Sequence, residues 1–157
     1  MREFPGTLAQ GSPPYRGPVM AAELSVPLGR LGLVRVIGER DVRFASNLVD
    51  LGALRYRNAF VYEKLQAEQL FGLPLRLVAL LAGGVEQSRY LLPYPYLSRT
   101  FLVRRVDHRW TGRLAVARRF GDSMRIGGHL SWARRVSSLP LLSYEGLTYG
   151  LTAEVTP

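Results

Sequence analysis

His129 and Ser131 are the side chains in this sequence whose types and spacing come nearest to a catalytic pair. An imidazole beside a hydroxyl can activate the oxygen as a nucleophile when a carboxylate orients the histidine. Glu145 is the next acid along the chain. Successive side chains of a strand point to opposite faces, and this alternation puts Glu145 on the apolar side of its strand. His129 and Ser131 fall on a polar side, so we expect no catalytic residues and a histidine within a polar surface.

The sequence offers little other site chemistry. It contains no cysteine, which excludes disulfides, thiolate nucleophiles and cysteine-based zinc sites. The histidines are His108 and His129, and neither has a second ligand at a metal-binding spacing. Gly83-Gly84 and Gly127-Gly128 lack the lysine or the glycine spacing of phosphate-binding loops. We therefore expect neither a cofactor nor a metal ion.

β-Strands are the elements that must position these residues. From Ser123 to Arg134 the apolar side chains occupy even positions, and from Leu147 to Val155 they occupy odd positions. Each segment therefore has one apolar and one polar face, and its length suffices to cross a bilayer core when tilted. Turn-forming residues separate similar segments upstream. The predicted strands are 19–28, 30–38, 41–50, 53–66, 74–86, 102–119, 122–135 and 143–155.

This number of short strands predicts an all-β fold, an antiparallel β-barrel of about eight strands, which is the smallest class of transmembrane barrel. The barrel-like domain covers residues 19–157 and follows an irregular arm, 1–18, rich in proline and glycine. The alternative is a soluble α+β fold with one helix near 53–71, because Glu63, Lys64 and Gln66 favour a helix there.

Arginine dominates the predicted polar faces. The formal net charge is +9, and Lys64 is the only lysine among 21 basic residues. We expect the polar faces to form one continuous surface, a lumen or a binding face, in which arginines pair with carboxylates such as Asp41 and Glu63. The candidate residues of this surface are Arg43, Arg57, Arg105, Asp107, Arg113, Arg125, His129 and Glu154.

Two further expectations concern facing and location. Alternation in 53–63 predicts Phe60 and Tyr62 on the apolar face and Glu63 on the polar face.

Tyr94 and Tyr96 lie in a tyrosine- and proline-rich segment that suits an extracellular loop or an aromatic girdle at a membrane interface. The first 18 residues lack the apolar core of a secretory signal, so a cytoplasmic protein is the alternative to one of the outer membrane.

The last third of the chain, 104–155, resembles a known family. The matching residues are Arg105, Asp107, Gly121-Asp122, Trp132, Ser137-Ser138-Leu139-Pro140, Tyr144 and Tyr149-Gly150-Leu151. They are similar to the C-terminal barrel domain of surface-lipoprotein assembly modifiers and other tetratricopeptide-linked export proteins of the bacterial outer membrane. The resemblance implies a non-enzymatic barrel with a structural, docking or export-assisting role. Its implied partner is membrane lipid or a lipoprotein.

Two other functions stay open from the residues. A soluble, basic, β-rich domain would bind nucleic acid or a protein partner through its arginines. The spacing of His129 and Ser131 is also similar to that of outer-membrane lipid A deacylases, which would imply a barrel that hydrolyses lipid acyl chains. Nothing in the residues predicts the oligomeric state.

Overall fold

The computed structural model describes residues 2–4, 15–29, 32–44, 49–50, 55–56, 59–91, 94–95, 102–121 and 123–155. Seven antiparallel strands form one sheet, and each strand pairs with the next along the chain. The strands are β1 (Met20–Pro27), β2 (Leu33–Phe44), β3 (Ala59–Leu73), β4 (Leu77–Tyr90), β5 (Val106–Phe120), β6 (Met124–Ser137) and β7 (Tyr144–Val155).

Short elements accompany this sheet. Three two-stranded ribbons pair Arg2–Phe4 with Tyr15–Gly17, Val49–Asp50 with Arg55–Tyr56, and Tyr94–Pro95 with Leu102–Val103. A 3₁₀ turn, Pro140–Leu142, precedes β7.

The all-β prediction is confirmed, with corrections to its details. In the described residues the sheet has seven strands, because Gly38-Glu39-Arg40 continues β2 and does not break it. Glu39 and Arg40 pair with β1 on one side and β3 on the other. The alternative prediction of a helix near 53–71 is wrong, because Ala59–Leu73 is a strand. Pairing with β2 and β4 along its length overrides the helix propensity of its charged residues.

Cross-strand register gives the sheet two chemically distinct faces. We call one the polar face; its central row crosses all seven strands as Ser25, Arg35, Glu68, Ala82, Arg113, Ser131 and Thr148. We call the other the apolar face; its corresponding row is Leu24, Val36, Ala67, Gly83, Gly112, Trp132 and Leu147. Antiparallel pairing keeps each row on one side of the sheet.

The polar face is concave. Glu68 on β3 and Thr148 on β7 line the same cavity of about 470 Å³, although three strands separate them. A flat sheet would hold side chains so far apart in the sheet order beyond each other's reach, since neighbouring strands are about 4.8 Å apart. Curvature therefore gathers the polar side chains and spreads the apolar ones.

The two ends of the sheet differ in their connections. At one end, the turn end, the strands are joined by 28–32, 74–76 and 121–123. At the other, the loop end, they are joined by 45–58, 91–105 and 138–143. Gly32 shows how tight the turn end is: its φ is +91°, and a Cβ built there would lie 1.8 Å from the carbonyl oxygen of Leu70. Only glycine fits that position.

The faces of β3 were predicted the wrong way round. Phe60 and Tyr62 lie on the polar face, where the Phe60 ring is 5.0 Å from the ring of Tyr90 and the Arg43 guanidinium is 3.7 Å from the ring of Tyr62. Glu63 lies on the apolar face and pairs with Arg40 at 3.3 Å. Near the loop end aromatic rings cover cations and ion pairs border the apolar face, so residue type alone does not identify the face.

The described sheet has almost no hydrophobic core. Only Val42, Val61, Tyr62, Ala79 and Leu139 are buried hydrophobic residues in the described part of the chain. Twenty of the 26 exposed large hydrophobic side chains in the same residues lie on the apolar face. No described segment packs on that face.

Candidate functional site

The apolar face carries a continuous apolar band. We define the band as the apolar-face residues from Met124 to Trp132 in β6 with their cross-strand partners. It spans nine residues of β6, and its centre includes Leu81, Leu114 and Leu130, which are 52%, 48% and 43% exposed. Arg118, near the turn end, is the one charged residue among the described side chains of the band, and its guanidinium lies 5.1 Å from the Phe120 ring.

Charged pairs border the band toward the loop end. Glu63 contacts Arg40 at 3.3 Å and Arg89 at 2.8 Å. Glu145 contacts Arg134 at 3.9 Å and accepts a hydrogen bond of 3.0 Å from the indole nitrogen of Trp132. We call these the border pairs. Trp132 therefore has its ring on the apolar side and its N–H directed at the border, as an amphipathic side chain does at an interface between apolar and aqueous phases.

Arg105, Asp107 and Arg135 form a buried cluster at the loop end of the polar face. The Asp107 side chain is only 3% exposed; Arg105 contacts it at 2.9 Å, and Arg135 donates a second hydrogen bond. The Arg105 guanidinium also lies 4.3 Å from the Tyr90 ring. Burial alone would raise the pKa of Asp107, but hydrogen bonds from Arg105, Ser137 and Arg135 outweigh it and lower that pKa below the usual value.

The loop 138–143 is anchored to the backbone beside the same cluster. Ser138 accepts a hydrogen bond of 3.0 Å from the Val106 amide and donates one of 3.1 Å to the Arg104 carbonyl oxygen. The Ser137 amide donates to the Ser143 hydroxyl at 3.0 Å, and Leu139 is only 2% exposed. This serine-rich loop is therefore held closely against the end of the sheet.

Ion pairs continue into the middle of the polar face. Arg35 contacts Glu68 at 2.7 Å on the neighbouring strand. Arg109 contacts Glu86 at 3.2 Å, and Arg43 contacts Glu39 at 2.6 Å. Most of these partners are 20 to 35 residues apart in sequence and meet through the cross-strand register.

The turn-end half of the polar face is different. Among the described residues Arg113 and Arg125 form no ion pair, although Glu154 is the cross-strand partner of Arg125. The Nδ1 atom of His129 is buried and has no hydrogen-bond partner in the described part of the chain. The imidazole ring lies over Gly150, where a Cβ would be 2.7 Å from the His129 Cε1 atom.

The sequence-predicted polar residues thus fall into two groups. Arg43, Arg105 and Asp107 lie in the paired, loop-end half, whereas Arg113, Arg125, His129 and Glu154 lie in the turn-end half. Arg57 and Tyr96 lie outside the described residues, and only the backbone of Tyr94 is described. The expected partner for Glu63 on the polar face is wrong, because Glu63 pairs on the other face.

Sequence reasoning missed several contributors. Arg135 and Tyr90 complete the Asp107 cluster, and the pairs Arg35–Glu68 and Arg109–Glu86 occupy the centre of the polar face. The signal that would have found Arg109–Glu86 is the register of β4 on β5, in which these residues are direct partners. The sequence does not state that register, because a connection as long as 91–105 allows more than one pairing of the strands that it joins.

His129, Ser131 and Glu145 do not meet. His129 and Ser131 lie on the polar face, and Glu145 lies on the apolar face against Trp132. No group of three potential metal ligands occurs in the described residues. No helix among them is long and apolar enough to cross a membrane.

Comparison of the chain with protein-family models, with curated proteins and with solved structures gives no match.

Proposed function

We propose that this chain is a small, non-enzymatic β-barrel protein of a bacterial outer membrane, with its apolar face toward lipid and its polar face inward. The observation that carries the proposal is the sheet without a core. Twenty large hydrophobic side chains are exposed on one face, and no described segment covers them. Soluble monomers rarely expose so large a contiguous apolar surface, whereas lipid satisfies it directly.

The size of the apolar band supports lipid as the occupant. Nine residues at about 3.3 Å each give a band about 30 Å long, or about 21 Å high at a 45° tilt. Outer-membrane barrels have an apolar belt about 25 Å high with aromatic girdles at its borders. The border pairs and Trp132 lie where the polar headgroups would begin on one side.

The connections support one orientation in the membrane. Outer-membrane barrels have short periplasmic turns and longer extracellular loops. The turn end would then face the periplasm, and the loop end, with the anchored loop 138–143, would face the outside. With ion pairs across the loop-end half and the middle of its polar face, such a barrel serves as a structural or docking element whose loops meet a lipoprotein or export partner.

A closed barrel requires the edges of the sheet to be paired. β1 and β7 each have one strand neighbour in the described sheet. In an antiparallel meander of seven strands the first and the last run in the same direction, so a direct seam between β1 and β7 would be parallel. An eighth strand would be needed for a fully antiparallel closure, because a second copy in the same orientation would also meet the first through parallel seams.

Engineered cysteine pairs test whether β1 and β7 meet in a seam. The chain itself has no cysteine, so no other disulfide can form. We expect Leu24→Cys, combined in turn with Leu147→Cys, Tyr149→Cys or Leu151→Cys, to give one pair that oxidises within a single chain. A cross-link only between two chains would indicate closure by a second copy. No cross-link in any pair would argue against a direct seam between β1 and β7 and would leave closure to an eighth strand between them.

Paired arginine substitutions test the membrane assignment itself. Leu130 lies inside the apolar band and Val136 beyond its border, on the same face of the same strand; they are 43% and 41% exposed. In lipid, Leu130→Arg should cost about 2 to 4 kcal/mol and Val136→Arg at most about 1 kcal/mol. The measurement is reversible unfolding in bilayers of the full-length protein.

Fractionation gives the complementary readout. We expect the wild-type protein to leave membranes only with detergent and to change its gel mobility on boiling. If the two arginine variants were equally stable and the protein stayed in buffer without detergent, the apolar face would be covered by protein, not lipid. Salt-sensitive retention on heparin would then favour the nucleic-acid alternative, which the ion pairing of the polar-face arginines disfavours.

A further inference from the structure

We propose that the turn-end half of the polar face binds an amphipathic anion, namely a short aliphatic carboxylate. A groove of about 280 Å³ lies there, and side chains of β3, β4, β5, β6 and β7 line it. We call it the turn-end groove. This inference does not rest on the proposed function, because the groove opens on the face opposite the apolar band.

One wall of the groove is aliphatic. Leu70, Val78 and Leu80 line it on β3 and β4, and Ala115 and Ala117 continue it on β5. Leu70 is 39% exposed, although it lies on the polar face. Aliphatic side chains on a face otherwise occupied by ion pairs provide a surface for the hydrocarbon part of a ligand.

The other wall is cationic and lacks compensating charge. Arg113, Arg125 and His129 line it, and Glu154 is the only acid in the groove. Elsewhere on this face Arg35, Arg43, Arg105, Arg109 and Arg135 each have a carboxylate partner. Arg113 and Arg125 have none among the described residues, so the groove has an excess of positive charge that an anionic ligand would balance.

His129 supplies a second, independent observation. Its Nδ1 atom is buried without a partner in the described residues, and the ring is fixed against Gly150. Buried polar atoms normally have a hydrogen-bond partner, so this nitrogen is a hydrogen-bonding group that the described residues leave unused in a side chain lining the groove. A carboxylate is planar and accepts paired hydrogen bonds from a guanidinium, which matches the residues present.

The volume limits the ligand. Cavities for drug-sized ligands span about 300 to 1,000 Å³, so a groove of about 280 Å³ suits a small molecule. Octanoate has a single carboxylate and a short chain, and it is therefore our probe. Acetate tests the contribution of the chain, 1-octanol tests the contribution of the charge, and inorganic phosphate tests for nonselective anion binding.

The experiment follows the carboxyl carbon of [1-¹³C]octanoate by NMR as full-length protein is added, with empty detergent micelles as the blank. We expect a saturable shift with the wild-type protein, and at least tenfold weaker affinity for Arg113→Gln and for Arg125→Gln. Arg113→Lys keeps the charge but not the paired donors, so its affinity should lie between those of Arg113→Gln and the wild-type protein. Arg134→Gln is the matched control: it removes a cation from the same strand as Arg125 but on the apolar face.

Other outcomes would overturn the proposal. Equal binding of acetate or phosphate would reduce the groove to a nonselective anion site, and equal binding of 1-octanol would remove the role of charge. An equal loss of affinity in Arg134→Gln would show that net charge alone is responsible. Circular dichroism of each variant confirms that it folds, and Arg113→Lys supplies a test if Arg113→Gln does not.

Discussion

The two halves of the polar face contain similar residues, but only the arginines of the loop-end half are paired with carboxylates. In the loop-end half Arg105 and Arg135 share the buried carboxylate of Asp107, and the Tyr90 ring covers Arg105. In the turn-end half Arg113 and Arg125 have no carboxylate partner among the described residues, and His129 has an unbonded nitrogen. The difference indicates that the charges of the loop-end half are balanced within the protein. The turn-end half instead has cations that a ligand from outside would balance.

The largest expected effect on stability comes from removing the buried carboxylate of the loop-end half. Asp107→Asn removes the charge shared by Arg105 and Arg135 and leaves two partly buried cations without compensation. Loss of one partner from a buried ion pair typically costs about 3 to 5 kcal/mol. We expect Asp107→Asn to lower the free energy of unfolding by about 3 kcal/mol, measured by denaturant titration.

Glu154→Gln is the matched control for that substitution. It removes a carboxylate from the turn-end half, where Glu154 is exposed and forms no ion pair with a described residue. We expect a change within about 0.5 kcal/mol, as for most surface substitutions. Equal losses in the two variants would contradict the division of the polar face into two halves.

Acid dependence sharpens the same comparison. Asp107 lies beyond the border of the apolar band, and its pKa is lowered in the folded protein. A carboxyl group whose folded pKa is lowered contributes stability that is present above its unfolded pKa of about 3.9 and is lost as the pH falls through the folded pKa. We expect wild-type stability to fall below about pH 4 more steeply than that of Asp107→Asn.

A smaller effect is expected where His129 meets Gly150. Gly150→Ala would place a methyl group 2.7 Å from the His129 Cε1 atom, so the ring must move. Because only the end of one partly exposed side chain must give way, we expect a cost of at most about 1 kcal/mol, and the displaced ring should show altered proton NMR shifts. Gly146→Ala, on the same face of β7 with nothing within 4 Å of the added methyl, should leave the ring and the stability unchanged.

The smallest effect distinguishes a paired from an unpaired arginine. Arg109→Gln breaks a half-exposed pair with Glu86 and should cost at most about 1 kcal/mol. Arg113→Gln removes a cation without a described partner on the same strand, so the ligand-free protein should keep its stability or gain slightly. A larger loss for Arg113→Gln than for Arg109→Gln would show that Arg113 has a structural role.

Alternation predicted much of the fold because it is a local property. The two faces of 124–132 and 147–155 followed from the sequence, and the structure has the same faces. Glu145 was placed opposite His129 by the same reasoning. Where residue type contradicts the period, as at Phe60, Tyr62 and Glu63, the prediction was wrong, because aromatic rings packed over arginines on the polar face.

The candidate groove depends on register, which the sequence does not state. His129 lies against Gly150, and Leu80 lies in the same row as Ala115, because of the register in which β4, β5, β6 and β7 pair. A shift of one residue would move each side chain to the other face. The sequence identified Arg113, Arg125 and His129 as polar-face residues, but not the aliphatic wall opposite them.

The position of the two tryptophans has a practical consequence. Trp110 and Trp132 are the only tryptophans of the chain, both lie on the apolar face, and they are 38% and 36% exposed. All tryptophan fluorescence therefore originates close to the Arg134–Glu145 border pair, since Trp110 is the cross-strand partner of Arg134 and Trp132 precedes Arg134 by two residues. In the proposed membrane arrangement, the emission maximum and the quenching by bromine atoms placed at chosen depths along lipid chains would report the depth of that border. Residues near the turn end contribute nothing to this signal, so it would report one border of the apolar band and not the other.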